Sequence, residues 1–164
     1  MSNFSAELPE DLWRRWIAHS AALLASYRER TGGELIARGG GPEAEAERLL
    51  AAPFVVVSHG AEADPILNYG NRAALALWEM SAAQLMRTPS RMTAEPMLRE
   101  ARERLLEQTT RGGFVSGYEG VRISATGRRF RISNVTIWNV SDSAGAPAGQ
   151  AATFARWTFL DATV

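Results

Sequence analysis

The segment that most constrains this chain runs from residue 64 to residue 75 and reads DPILNYGNRAAL. It is typical of a short strand that ends in an Asn capping the next helix. Asn71 supplies a side-chain oxygen for the unpaired amides of a first helical turn, and the following Ala73, Ala74 and Leu75 can pack where that helix leaves a sheet. The segment therefore predicts a short strand followed directly by an Asn-capped helix.

Composition sets limits on the class of protein. The 164 residues are 46% hydrophobic, which suits one domain with a core. The formal net charge is +0 and the basic residues are interleaved with acidic ones, so we expect no nucleic-acid partner. Cys is absent, which excludes disulfides, thiolate metal sites, a Cys nucleophile and a flavin–thiol photoadduct.

No signal peptide or membrane span is expected. Residues 1–11 are acidic and lack a basic region followed by an apolar run, and no later stretch has the length needed to cross a bilayer. We therefore expect a cytoplasmic protein with no membrane partner.

The first third of the chain is predicted to be helical. A helix is expected from Pro9 to Thr31, where two glycines stop it, and a second one over residues 42–50. We expect residues 1–51 to form a helical extension ahead of a main domain at residues 52–164.

The first helix carries an aromatic face formed by Trp13, Trp16 and Tyr27. So much apolar surface is unusual on the outside of a monomer. We expect this face to be buried either on the outer face of a sheet or against a second subunit, which makes a homodimer a candidate assembly.

The middle of the chain is predicted to hold two short strands and a run of helices. The strands are expected over residues 54–57 and 66–69, and a helix over residues 72–79 follows them. Ser81 and Gln84 have capping-box spacing, and Thr93 is predicted to cap a longer helix over residues 94–111. The inward stripe of that helix is expected at Met97 or Leu98, Ala101, Leu105 and Thr109, with its Arg and Glu residues mostly in water.

The last third switches to period two, which predicts three long antiparallel strands over residues 115–124, 128–140 and 150–160. The apolar residues of the middle strand are Phe130, Ile132, Val135 and Ile137. Strict alternation would put Phe130 and Ile132 on one face and Val135 and Ile137 on the other. The pattern therefore predicts either a bulge near Ser133 and Asn134 or a sheet buried on both sides.

The order of these elements resembles that of PAS domains, which fold as a five-stranded antiparallel sheet with helices across one face. Within residues 53–160 the resemblance sharpens to the MEKHLA family. It is carried by residues 120–128 (GVRISATGR), 135–138 (VTIW), 157–159 (WTF), 87–91 (RTPSR) and 93–96 (TAEP). The chain is similar to the stand-alone bacterial members. It lacks the string that gives the family its name, and it has neither the homeodomain nor the zipper of the plant members, so regulation of DNA binding is not implied.

The resemblance implies an α+β, PAS-like fold with an N-terminal helical lead-in and a sensory or dimerisation role. Haem-binding PAS domains generally use a His on the long helix, and residues 94–111 contain none. A haem is therefore not expected, and the cofactor, if there is one, stays unknown.

Large adaptable side chains fall on segments that flank the pocket of such a fold, and Met suits an irregular cavity. Asn134, Asn139 and Tyr118 are the polar groups expected to contact a ligand, although the asparagines could instead satisfy the backbone at a bulge or edge. The apolar candidates for ligand binding, which could equally be ordinary core, are Trp78, Met80, Met86, Met92, Met97, Tyr118 and Trp138.

Arg87 and Arg91 flank a proline just before a capped helix, where two guanidinium groups could hold a carboxylate or phosphate. The alternative is a structural brace in which either arginine pairs with Glu79 or Glu95. The candidate ligand is thus a small apolar or anionic molecule.

The two histidines, His19 and His59, are too few for a metal cluster, and His59 is expected in a loop after the first strand. Ser58 and His59 are adjacent, and adjacent strand residues point to opposite faces, so they make a poor catalytic pair. No enzyme is therefore expected. The sequence predicts a PAS-like sensory module that binds a small molecule between sheet and helices and associates with itself or a partner. The alternatives are a ligand-free interaction module and, third, a small hydrolase or isomerase.

Overall fold

Helices lie against both faces of one antiparallel sheet in the computed structural model of the chain, which describes residues 8–94 and 99–160. The helices are α1 (Glu10–Thr31), α2 (Pro42–Leu50), α3 (Arg72–Trp78), α4 (Ala82–Leu85) and α5 (Arg99–Gly112), with a 3₁₀ turn at Ser90–Thr93. The strands are β1 (Val55–His59), β2 (Leu67–Gly70), β3 (Phe114–Ile123), β4 (Arg129–Ser141), β5 (Pro147–Phe154) and β6 (Arg156–Phe159). The predicted α+β architecture is confirmed.

The strand order across the sheet is β2-β1-β5-β4-β3, and β6 also pairs with β4. Only Ala155 separates β5 from β6, and both run beside β4, through Thr136 to Ser141 for β5 and Phe130 to Ser133 for β6. The strand predicted over residues 150–160 is therefore present in two pieces. The predicted five-stranded sheet is present, with its last strand divided into β5 and β6.

The bulge predicted in β4 is present at Asn134, whose φ of 53° is left-handed. Val135 pairs with Tyr118 and Ile132 pairs with Gly120, so three steps along β4 match two steps along β3. The extra residue returns Val135 to the face that carries Ile132. Both predicted alternatives occur, because β4 is also buried on its second face further along.

The outer face of the sheet is covered by α1 and α2. Trp16 stacks on Tyr69 with ring centroids 4.8 Å apart, and Tyr27 meets Trp138 edge-on at 4.9 Å. Trp16 Nε1 also donates to the Asn68 carbonyl oxygen at 3.0 Å. The aromatic face of the first helix is thus buried on the chain's own sheet, which was the first of the two predicted arrangements. The division between residues 51 and 52 stays a prediction, since α1 and α2 share a core with the sheet.

A polar contact also joins α1 to the sheet. His19 Nε2 lies 2.9 Å from Ser58 Oγ, and Ser58 Oγ donates to Asn68 Oδ1 at 2.5 Å. Because the hydroxyl proton goes to Asn68, His19 Nε2 donates to Ser58. Burial lowers the pKa of His19 to about 4.

Asn71 joins three elements where α3 begins. Its Oδ1 accepts from Ala74 N, which caps α3 as predicted, and from Val56 N in β1. Its Nδ2 donates to the carbonyl oxygens of Leu49 at 3.1 Å and Phe54 at 2.8 Å. Asn71 is fully buried, and Leu49 O also accepts from Ala52 N at 3.3 Å, so Phe54 O is the carbonyl that depends on the Asn71 amide for its partner.

Two predictions for the long helix are corrected. Thr93 does not cap it, because its hydroxyl donates to Ser90 O within the 3₁₀ turn and α5 begins at Arg99. Ala101 is exposed, whereas Leu105 and Thr109 are buried as predicted. Arg102 takes the inward place instead of staying in water. The predicted stripe position at Met97 or Leu98 lies outside the described residues.

The first test concerns Asn71. Asn71→Asp keeps an equally good helix cap and removes the two Nδ2 donors, so Phe54 O loses its partner and the carboxylate is buried against the carbonyl oxygens of Phe54 and Leu49. We expect the free energy of unfolding in urea to fall by about 3 kcal/mol or more. Ser81→Ala is the control, because Ser81 caps α4 in an exposed position and should cost about 1 kcal/mol. Equal losses in the two variants would contradict the central role of Asn71.

The second test concerns pH. The unfolded chain binds a proton on His19 near pH 6.5, and the folded chain does so only near the lowered pKa of about 4. Stability therefore falls as the pH drops through this window, by roughly 2 kcal/mol for this residue. His19→Gln keeps a donor for Ser58 and does not titrate. Urea unfolding at pH 7 and pH 4.5 should show a smaller pH effect in this variant; an unchanged pH effect would show that His19 is not responsible.

Candidate functional site

The inner face of the sheet, opposite α1, encloses a cavity under α5. Its volume is about 60 Å³. Residues of the sheet, α3 and α5 form its walls, and the apolar ones include Val57, Leu67, Leu105, Ile132, Val135, Ile137, Ala152 and Phe154. The polar lining residues lie at the ends of this apolar region and are described one by one below.

Arg122 projects from β3 onto the inner face and is only 6% exposed. Its Nη1 donates to Val121 O at 3.0 Å and its Nη2 to Tyr118 Oη at 3.3 Å. The guanidinium carbon also lies 5.5 Å from the centroid of the Tyr118 ring, in cation–π range. These partners are all uncharged, so they fix the side chain without neutralising it.

Arg102 faces Arg122 from α5 and lines the same cavity. Burial, together with the positive charge of Arg122, lowers the pKa of Arg102 to about 10. Arg102 still carries its charge at neutral pH. Among the described residues no carboxylate lines the cavity. Outside it, the charge of the neighbouring Glu103 on α5 partly offsets the lowering of the Arg102 pKa.

Trp78 forms another wall and is the predicted site residue that reaches the cavity directly. Its ring meets Phe130 edge-on at 5.4 Å and Phe154 at 6.2 Å. Its carbonyl oxygen accepts from Ala125 N at 2.9 Å, which ties α3 to the turn between β3 and β4. The indole Nε1 is buried and has no hydrogen-bond partner among the described residues.

That turn is held by Glu79, which follows α3 with a left-handed φ of 57°. The Glu79 carboxylate accepts from the hydroxyls of Ser124 and Thr126, and these bonds lower its pKa. Both hydroxyls belong to the GVRISATGR segment, so this part of the motif fixes the position of Trp78.

His59 lies at the mouth of the cavity as the last residue of β1, not in a loop as predicted. Its Nδ1 donates to Gly60 O at 2.9 Å, which leaves Nε2 as an acceptor in the neutral ring. Burial, with a smaller contribution from the charge of Arg102, lowers the pKa of His59. Its Nε2 is buried without a partner among the described residues.

Gln150 stands beside His59 and joins α5 to the sheet. Its Nε2 lies within 3.0 Å of Leu106 O, Thr110 Oγ1 and Asn139 Oδ1. Asn139 in turn donates to Thr109 O and Thr110 O at the end of α5. His59, Leu106 and Gln150 also line an open groove of about 730 Å³ outside the cavity, so the groove reaches the cavity mouth.

Tyr118 is the second predicted site residue near the cavity. Its hydroxyl accepts a hydrogen bond from Arg122 Nη2. Trp138 lies on the opposite face of the sheet against Tyr27, because it follows Ile137 in a strand whose side chains alternate. Met86 packs against the same outer cluster. Asn134 is exposed at the bulge in β4.

The predicted arginine pair does not meet in one site. Arg91 pairs with Asp64 at 3.1 Å, so it is a brace as the alternative proposed, with a different partner from Glu79 or Glu95. Arg87 is exposed and lines a separate surface groove with Met80 and Met92. Met97 lies outside the described residues.

The cavity residues that sequence reasoning missed are Arg102, Arg122, His59 and Gln150. Arg102 is spaced three and seven residues from Leu105 and Thr109, which fits the inward stripe better than Ala101. Arg122 is an inner-face position of a period-two strand. The charged residues of the long helix were predicted to lie in water, which excluded Arg102, and no face was predicted for Arg122.

Ser58 and His59 point to opposite faces of β1, as predicted. The histidine that contacts Ser58 is His19, and the Ser58 hydroxyl donates to Asn68 and not to that imidazole. Ser58 and His19 therefore lack the hydrogen bond through which a base would activate a serine.

The described residues hold neither a metal-binding cluster nor a membrane-spanning helix. No group of three or more His, Asp or Glu side chains there could hold a metal ion. None of the helices in that part of the chain has the length and apolar character of a membrane span.

Several solved structures share this fold. The PAS domain of a protein from Colwellia psychrerythraea is 14% identical, with 72% of this chain and 95% of that chain covered at a TM-score of 0.59. A light-oxygen-voltage domain studied with a flavin analogue is 15% identical, with 72% and 85% covered at a TM-score of 0.56. The light-state dimer of the fungal blue-light photoreceptor Vivid is 16% identical, with 81% and 90% covered at a TM-score of 0.55. These identities establish a PAS-like fold and nothing further.

No curated protein matches the chain. The model of the MEKHLA domain matches residues 17–159, from the middle of α1 to the end of β6. This match confirms the family that the resemblance indicated, and it starts within α1 although the resemblance was placed in residues 53–160. The chain therefore belongs to the MEKHLA domain family.

Proposed function

We propose that this chain is a sensory or signalling module that binds a small molecule in the inner cavity and associates with itself or with a partner. The observation that carries the proposal is the buried polar lining of the cavity. Trp78 Nε1 and His59 Nε2 have no partner among the described residues, and Arg102 and Arg122 line the same cavity. A ligand can satisfy groups that the chain leaves unsatisfied.

The position of the cavity suggests how binding would be transmitted. A ligand there contacts Arg102 on α5 and Arg122 on β3 together. Gln150 and Asn139 hold the C-terminal half of α5 on the sheet through carbonyl oxygens. A change in how α5 sits on the sheet would therefore reach the strands and the groove beside it.

One light-oxygen-voltage domain of this fold was studied with a flavin analogue. A flavin does not fit the residues of this chain. The chain has no Cys to form a photoadduct, and the cavity of about 60 Å³ is far smaller than a flavin ring system. The ligand we propose is a smaller molecule.

The aromatic face of α1 is buried against the sheet, so it is not the surface we propose for a homodimer. β3 lies at one edge of the sheet, where it pairs with β4, and Phe114 at its start is 39% exposed. An exposed edge strand can add a strand from a second chain. We propose a cytoplasmic location and no membrane or nucleic-acid partner.

The small cavity favours one alternative, a ligand-free interaction module whose interior is filled by side chains. A volume of about 60 Å³ is well below the 300 Å³ or so of an ordinary ligand pocket. A catalytic role is not proposed, because the Ser58 hydroxyl donates away from His19.

Native and denaturing mass spectra of the full chain purified from cells test the proposal. We expect a native mass that exceeds the denatured mass by a stoichiometric small molecule, since a cavity with unsatisfied groups should retain its ligand. The native spectrum also gives the number of subunits. A bare protein with a stable dimer mass would favour the ligand-free module, and a bare monomer would contradict both parts of the proposal.

A further inference from the structure

His59 belongs to a row of inner-face residues that crosses the sheet at the mouth of the cavity. The strand registers pair His59 with Leu67 in β2 and with Gln150 in β5, and they pair Gln150 with Asn139 in β4. The amide nitrogens of Gln150 and Asn139 are committed to carbonyl and hydroxyl groups of α5. Within the described part of the chain, His59 Nε2 is therefore the buried polar atom of this row that has no hydrogen-bond partner.

The free ring nitrogen of His59 requires a hydrogen-bond donor. Nδ1 donates to Gly60 O, so the neutral ring presents Nε2 as an acceptor. Burial lowers the pKa of His59, which keeps the ring neutral at pH 7. The side chain is only 8% exposed, and an unpaired acceptor at such a position destabilises the folded state. An O–H or N–H group of a ligand would remove that penalty.

The charges around His59 favour an uncharged donor. The lone pair of Nε2 repels an anion. The positive charge of Arg102 changes the pKa of His59 more than the negative charge of Glu62 does, so a cation is also disfavoured beside the ring. A neutral hydroxyl meets both conditions, because it donates one proton and carries no charge.

The next row of inner-face residues is apolar. Val57 lies two residues before His59 on β1 and pairs with Ala152, which pairs with Ile137. These three residues line the cavity but not the groove, whereas His59 lines both, so the apolar row lies deeper. Residues two apart on a strand are separated by roughly 7 Å, which a hydroxyl with a short alkyl chain can span.

The volume of the cavity limits the length of that chain. About 60 Å³ lies between the roughly 10–15 Å³ that one water needs and the roughly 150 Å³ that holds benzene, which corresponds to roughly two to five non-hydrogen atoms. Buried waters ordinarily make about three hydrogen bonds, and the apolar row offers a water none. A small molecule with one polar end and one apolar end fits both rows better than water does.

We propose that the cavity binds a short aliphatic alcohol, which enters from the groove and places its hydroxyl on His59 Nε2 and its alkyl chain of two to four carbons on Val57, Ala152 and Ile137. This assignment rests on the proposed function, since it names the class of molecule that the module would sense.

The full chain should be titrated with three compounds of equal size while its backbone amide resonances are followed by NMR. 2-Propanol has the hydroxyl donor, acetone has the same skeleton without a donor, and acetate adds a negative charge. We expect saturable shifts in β1, β5 and α5 with 2-propanol, affinity about tenfold weaker with acetone, and no saturation with acetate. A ligand of four non-hydrogen atoms binds with a Kd of roughly 40 μM at best, so the titrations should extend into the millimolar range.

A series of linear alcohols tests whether the chain is enclosed. Each added methylene should raise the affinity by about fourfold while it still enters the cavity. We expect this rise from ethanol to 1-butanol and none beyond it. Ala152→Val adds two methyl groups to the apolar row, so the rise should end at a shorter alcohol. A steady rise through 1-hexanol in both proteins would reject an enclosed site.

Two variants near the cavity mouth test the hydroxyl contact. His59→Phe keeps a ring and removes the acceptor, so 2-propanol should lose about tenfold in affinity and then bind no better than acetone. Glu62→Gln is the control, because the exposed Glu62 keeps an oxygen for Ile66 N and loses only its charge. We expect 2-propanol affinity to stay unchanged in this variant, and a loss there would contradict a neutral ligand.

Other outcomes overturn the assignment. Equal affinities for 2-propanol and acetone, tighter binding of acetate, or unchanged 2-propanol affinity in His59→Phe would each reject an alcohol held by His59. If the mass spectra show a retained molecule of another class and 2-propanol does not bind, the alcohol is wrong and the sensory module stands. If no molecule is retained and no compound binds, both proposals fail.

Discussion

The side chain of Asn71 holds together the parts of the chain on which the rest of the fold depends. It is fully buried and bonds to the end of α2, to two points near the start of β1 and to the first turn of α3. An amide is the only common side chain with two donors and an acceptor oxygen in one plane, so it can satisfy carbonyl and amide groups together. The direction in which α3 leaves the sheet, and hence the place of Trp78 at its end, follows from this contact. The Asn71 hydrogen bonds at the start of α3 therefore help to position Trp78, which lines the cavity at the end of that helix.

The second constraint is that β4 is buried on two faces at once. Phe130, Ile132, Val135 and Ile137 face the cavity side, and Trp138 and Val140 face α1. The extra residue at Asn134 makes this possible, because it resets the alternation halfway along the strand. One strand thus carries both the wall of the candidate site and the base on which α1 packs. Removing α1 would expose the back of the same strand that lines the cavity.

Elements with local signals could be predicted from the sequence, and the site could not. Pro9, the glycine at residue 32 and the range Pro42–Leu50 set the ends of α1 and α2 through backbone preferences that act within a few residues. Asn71 was found in the same way. Trp138 was placed in the pocket although the predicted bulge already put it on the other face. Arg102 was missed because the rule that charged residues of a helix face solvent holds on average and fails at individual positions, and Arg122 was missed because its strand face was not predicted.

The two inward-facing arginines bear on the choice between a module that binds a ligand and an interaction module whose interior is filled by side chains. A core whose only task was to support a surface would be more stable with Leu or Met in place of two facing guanidinium groups, since replacing buried charges by apolar groups of similar volume is often stabilising. The chain instead keeps both charges, holds one rigidly on Tyr118, and leaves a buried indole donor beside them. A ligand that binds these groups would stabilise the folded state by an amount that grows with the logarithm of its concentration above the Kd. Ligand occupancy would then act directly on how firmly α5 is held against the sheet, because Arg102 belongs to the helix and Arg122 to the strand beneath it.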